Sequence, residues 1–136
     1  MSNRRKFLKT SLALSAGVVA LSDAPTFATV GGYPDGIIYT KDNQGKWEGK
    51  SDSHAPIVKI NGDKITVETK HGMSEKHYIV RHTVVSETGE VLGEKTFYPS
   101  DKKAISTFTV KRKQTVLYAT SFCNKHDLWV TKFSKK

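Results

Sequence analysis

From Pro56 onward the chain alternates between short runs of β-branched, aromatic and other apolar residues and punctuating turn residues. The runs cover residues 57–60, 64–69, 78–86, 91–98, 104–110, 115–122 and 128–133, separated by signals such as Asn61-Gly62-Asp63, Thr88-Gly89 and Pro99-Ser100-Asp101. Period-two alternation with turns at this spacing predicts strands, and no stretch carries the 3.6-residue periodicity of an amphipathic helix. About seven such strands imply an all-β fold, an antiparallel β-sandwich of immunoglobulin-like type. Within 78–86 the alternation sets His82 on the face of Tyr78, Val80 and Val84, where a partly buried structural role is expected. Residues 29–53 are rich in Gly, Asp, Asn and Pro and read as loop, with only 37–39 resembling a strand.

The first 28 residues follow another pattern: Arg4-Arg5-Lys6-Phe7-Leu8-Lys9, an apolar run over 11–21, then Thr26-Phe27-Ala28 suited to cleavage after Ala28. The apolar run is shorter than the about 20 residues that span a bilayer, so no membrane anchor is expected to remain after cleavage. Both arginines, the Phe-Leu pair and the following lysine fit a twin-arginine signal; a general secretory signal with two adjacent arginines is the alternative. The twin-arginine route carries folded proteins, so the expectation is a mature domain over 29–136, loaded with a cofactor before export to the periplasm.

Charge narrows the function classes. The chain has 22 Lys and Arg against 13 Asp and Glu, a net charge of +9. Residues 29–136 keep 18 of the former and 12 of the latter, or +6. These cations are scattered, without the aromatic-interleaved basic stripe of a nucleic-acid surface, and no nucleic-acid partner is expected. A positive field does suit capture of a small anion. Cys123 is the single cysteine, which excludes an intrachain disulfide and leaves an inert thiol, an interchain disulfide or a metal thiolate.

Three of the five histidines and the cysteine fall in two tight groups, with His71 and His77 flanking a Gly72–Lys76 loop and Cys123 and His126 bracketing a turn, while His54 lies in the loop before Pro56. A thiolate and an imidazole three residues apart at a turn can share one metal, and loops at one end of a sandwich converge. Spacing alone leaves a metal site and unconnected surface or core histidines equally open.

The wording of these segments is more specific. Ser53-His54-Ala55-Pro56, His71-Gly72-Met73-Ser74-Glu75-Lys76-His77-Tyr78-Ile79 and Cys123-Asn124-Lys125-His126-Asp127-Leu128-Trp129 resemble the ligand motifs of superoxide reductases, the neelaredoxin and desulfoferrodoxin family. The resemblance covers nearly all of residues 29–136, and the absence of a Cys-rich amino-terminal segment makes the chain similar to the one-iron neelaredoxin type. It implies a mononuclear iron held by His54, His71, His77 and His126 in a plane with Cys123 axial and a sixth position open. It further implies one-electron reduction of superoxide to hydrogen peroxide, with re-reduction by an external electron-donor protein. An axial thiolate raises electron density at the open position, and backbone N–H groups of the 124–127 turn are placed to tune the sulfur. Homo-oligomerisation is left open.

Three positions depart from the family pattern. The Glu-Lys pair that usually precedes the first histidine is Asp52-Ser53 here, so Asp52 stands in for the Glu and no cation occupies position 53; Lys50 and Lys125 are the candidate substitutes for the lysine. Gly72 replaces a common Pro, and Asp127 a common Gly that adopts a left-handed turn more readily. The loss of the lysine raises a second reading, an exported metal-binding or electron-transfer module on the same scaffold. A third, a metal-free immunoglobulin-like interaction module, rests on the fold alone.

Overall fold

The computed structural model describes residues 34–111 and 116–135. The signal-peptide expectation lies outside them. The described residues form eight strands: β1 (Ile38–Tyr39), β2 (Ile57–Asn61), β3 (Lys64–Thr69), β4 (Ile79–Ser86), β5 (Val91–Thr96), β6 (Ala104–Thr109), β7 (Leu117–Cys123) and β8 (Asp127–Phe133). A 3-10 turn (Gly45–Trp47) and a single helical turn, α1 (Ser51–His54), interrupt the loop before β2. The strands make two sheets, β1-β8-β7-β4-β5 and β2-β3-β6. This is the all-β sandwich expected from the alternation. Every pairing is antiparallel except β1 on β8, where Ile38 lies opposite Leu128 and Tyr39 opposite Trp129 in parallel register.

The inward faces follow the pleat, as in β3, where Ile65, Val67 and Thr69 are buried and their neighbours are not. One apolar cluster gathers Ile65, Val67, Val84, Val110, Leu117 and Ala119, and a second gathers Ile79, Phe97, Ala104 and Cys123. His82 is fully buried rather than partly. Its inward companions on β4 are Ile79, Val84 and Ser86, not Tyr78 and Val80. The reason is a register shift between Ile79 and Arg81 against β7, which inserts one residue and turns Ile79 to the core. Simple alternation cannot anticipate such an insertion.

The five residues singled out in the sequence lie at one end of this sandwich. His71 follows the end of β3, His77 precedes β4, Cys123 ends β7, His126 precedes β8 and His54 ends α1 just before β2.

Candidate metal centre

Cys123 is the last residue of β7, and its backbone partner across the hairpin is Asp127. The three residues between them form a tight loop, closed by Asp127 in the left-handed conformation, φ 65°. This fixes Cys123 and His126 on the same side of the turn. Asn124 then ties the turn to the other histidine pair: its Oδ1 accepts from the Tyr78 N–H (3.0 Å), its N–H donates to the Tyr78 carbonyl (3.2 Å), and its Nδ2 donates to the Lys76 carbonyl (3.1 Å). These bonds bracket His77 on both sides. Ser74 closes the same loop, donating through both its N–H (3.1 Å) and its hydroxyl (3.0 Å) to the His77 carbonyl.

One donor atom from each of His54, His71, His77, Cys123 and His126 lies within 4.8 Å of every other. Neighbouring nitrogens are His54 Nε2 to His126 Nδ1 (3.1 Å), His126 Nδ1 to His77 Nε2 (2.9 Å) and His77 Nε2 to His71 Nε2 (3.0 Å). A square of nitrogens about 2.1 Å from a common centre has edges of about 3.0 Å, so these spacings are those of four imidazoles around one metal ion. The sulfur of Cys123 lies 3.6 Å from His126 Nδ1 and 4.0 Å from His71 Nε2. A cavity of about 460 Å³ is lined by all four histidines, with Lys50, Ser53, Lys70, Gly72, Met73 and Ser74, and not by Cys123, which is 1% exposed. The thiol therefore lies beneath the nitrogens and the cavity above them. The donor set fits one ion of borderline softness, with one position left toward the cavity.

Outer hydrogen bonds orient the rings. His71 Nδ1–H donates to the Gly72 carbonyl, and His54 Nδ1 faces the Lys50 carbonyl (3.1 Å) and Ser53 Oγ (2.8 Å). A proton on each Nδ1 leaves each Nε2 as a bare lone pair pointing at the common centre. The Trp129 indole N–H donates to the His126 carbonyl (2.9 Å), with its fully buried ring 5.8 Å from that of His54.

Burial lowers the pKa of all four histidines below the usual value. His54 is the most affected, held at about 4 by burial first and the neighbouring imidazoles next, against a Lys50 carbonyl contact that raises it. Neutral imidazoles are the form that binds metal. Burial pushes the Cys123 thiol up, while backbone N–H groups of Lys125 and His126 bond the sulfur and oppose that shift. These are the turn amides expected to tune it.

The remaining candidates are placed unequally. Lys50 lines the cavity over the histidines. Lys125 is exposed in the ligand turn and outside the cavity lining, though its charge acts on His77 and His126. Asp52 is exposed and lines a neighbouring depression with Lys41, Pro56 and Thr131. Sequence reading missed Lys70, which lines three adjoining cavities, one of them with Lys102 and Lys103. It also passed over Ser53 as merely lacking charge, whereas its hydroxyl holds His54 Nδ1 and the Lys50 carbonyl (3.1 Å). No local signal marks either residue.

Residues 45–132 match the family model described as Desulfoferrodoxin. A solved superoxide reductase (neelaredoxin) from Ignicoccus hospitalis is 29% identical, with 74% of this chain and 94% of that chain covered and a TM-score of 0.62. The superoxide reductase from Treponema pallidum is 25% identical over 62% of this chain and 69% of that one, with a TM-score of 0.53. A one-iron superoxide reductase from Giardia intestinalis shares the fold at 23% identity, a TM-score of 0.56, and coverage of 62% of this chain and 99% of that one. No protein of curated function matches the chain at a significant level.

Proposed function

The chain belongs to the desulfoferrodoxin family, and from that premise and the site's geometry we propose that it is a superoxide reductase that converts superoxide to hydrogen peroxide at a mononuclear iron. The observation that carries the reading is the convergence of four imidazole nitrogens over one buried thiol, with an open cavity on the nitrogen face. When bound by His54, His71, His77, His126 and Cys123, iron supplies the one electron that each superoxide consumes. The residues of the chain supply the rest. The Lys50 and Gly72 carbonyls fix the ring tautomers, and the Lys125 and His126 amides hold negative charge on the sulfur. Lys50 and Lys70 give the cavity the positive field that draws in a small anion, the part a lysine at position 53 would play. The product leaves with two protons taken from water in that open cavity.

Rapid mixing of the iron-loaded protein with superoxide tests the proposal: a transient faster than spontaneous dismutation is expected, and its absence would refute the activity. Replacing Lys50 and Lys70 together by Ala is expected to lower the second-order rate constant about tenfold at low ionic strength and to flatten its salt dependence. An unchanged salt slope would remove both lysines from the account.

The iron is re-reduced by an external electron-donor protein, and the lysine-rich mouth formed by Lys50, Lys70, Lys102 and Lys103 favours an acidic one. The twin-arginine signal over residues 1–28 sends the folded protein to the periplasm. Changing Arg4 and Arg5 to Lys should leave the precursor in the cytoplasm on cell fractionation; continued export would point to the general secretory route.

A further inference from the structure

Asp127 occupies a backbone conformation that glycine adopts freely and that an L side chain adopts at a cost. Its carboxylate explains why a side chain stands there. Oδ2 accepts a hydrogen bond from the Trp47 indole N–H at 3.0 Å and faces the Lys46 ammonium at 3.6 Å, while that ammonium lies 4.8 Å from the centre of the Trp47 ring. The Trp47 ring in turn packs perpendicular to that of His126, with ring centres 4.6 Å apart and planes at 88°.

The segment that Trp47 anchors does not end there. The Trp47 carbonyl accepts from the Lys50 N–H (3.1 Å), and Gln44 Oε1 binds the N–H groups of Gly49 (3.0 Å) and Ser51 (3.1 Å), which holds the connection to α1 in one shape. The Lys50 carbonyl then meets His54 Nδ1. Contacts starting at Asp127 thus reach His126 directly through Trp47 and His54 through Lys50. The donor atoms of those two rings are neighbours, 3.1 Å apart.

We infer that Asp127 is a positioning residue, whose carboxylate clasps Trp47 and so sets the angle of the His126 and His54 imidazoles along one edge of the donor square. The inference rests on the metal-site reading. The clasp turns the carboxylate to Trp47 and Lys46 and out of the cavity lining, although its negative charge still acts on Cys123 and His126.

The test uses the full chain with ¹⁵N-labelled tryptophan, first free of metal. Its two indoles, Trp47 and Trp129, have different acceptors, so Trp129 on the His126 carbonyl reports that the hairpin is folded. Asp127→Gly should shift the Trp47 indole resonance and speed its exchange with solvent roughly tenfold, while Trp129 holds its position. Asp127→Asn, which keeps an acceptor oxygen, should restore most of the protection. In the iron-loaded protein, Asp127→Gly and Trp47→Phe should each alter the thiolate-to-iron absorption and the rhombicity of the ferric resonance, and Asp127→Asn should not. An unmoved Trp47 resonance in Asp127→Gly overturns the clasp. A moved resonance with an unchanged iron spectrum reduces Asp127 to a turn residue and overturns the positioning role. Failure of the wild-type chain to bind iron would instead overturn the metal reading and leave the metal-free result standing.

Discussion

Cys123→Ser protein exposed to ferrous iron is expected to bind it at least about 100-fold more weakly than the wild type, to lack the visible thiolate-to-iron band after oxidation, and to lose measurable superoxide reduction. Losing an orienting group around a ligand already costs 10- to 100-fold, and this change removes a ligand itself. Serine is nearly isosteric, so packing alone predicts little: Cys123 sits in a small cluster with Ile79, Phe97 and Ala104 and is 1% exposed. The expected loss is therefore electronic. A hydroxyl stays protonated where a thiol can ionise, and it cannot donate the electron density that thiolate ligation supplies. The Lys125 and His126 amides that face the sulfur would meet a neutral oxygen instead. Iron content by elemental analysis, the visible spectrum and the rapid-mixing rate check the three parts. Retention of the band with serine in place would exclude Cys123 as the thiolate ligand. Thermal unfolding of the metal-free variant within a few degrees of wild type would confirm that the fold is not what was lost.

Much of this site is legible in the linear chain because its parts are local. The Cys123–His126 spacing and the His71–His77 loop each sit on one connection, and a sandwich brings connections at one end together. The strands were legible for the same reason, since alternation and turn residues are short-range signals. What was hidden depends on partners far apart in sequence. Trp47 and Asp127 are 80 residues apart, and Asn124 reaches Lys76 across 48. Neither contact has a local pattern. Ser53 reads as a deficit beside a family lysine, yet in three dimensions it braces His54, while the cations over the site come from Lys50, just before α1, and from Lys70, just after β3. The parallel pairing of β1 with β8 and the inserted residue in β4 are likewise decided by packing rather than by alternation.

On the inward face of β4, the structure makes His82 the polar centre of the sandwich. Its Nδ1 bonds Ser106 Oγ (2.8 Å) and its Nε2 bonds Thr69 Oγ1 (2.8 Å), which in turn bonds Ser121 Oγ (2.7 Å); Phe97 packs edge-on at 4.8 Å. Thr69 and Ser106 belong to one sheet, His82 and Ser121 to the other, so the chain of bonds joins the layers between the two apolar clusters. No buried side-chain polar atom among the described residues lacks a partner, so an uncharged His82 is fully accommodated. A charged one is not, and burial holds its pKa at about 4 against an ordinary 6.5. The sign follows from linkage: above pH 6.5 the ring is neutral folded or unfolded, whereas below it the unfolded chain takes up a proton that the folded one refuses. Stability is therefore lost as the pH falls from 6.5 through 4, by about 3 kcal/mol from this residue at pH 3. Urea unfolding of metal-free wild type and His82→Gln at pH 7, 5 and 3.5 isolates the effect, because the four site histidines titrate in both proteins. The variant should be about 2 kcal/mol less stable at pH 7, having lost well-formed buried hydrogen bonds, and the gap should close or reverse by pH 3.5. A gap constant across the range would mean that His82 is not what makes the sandwich sensitive to acid.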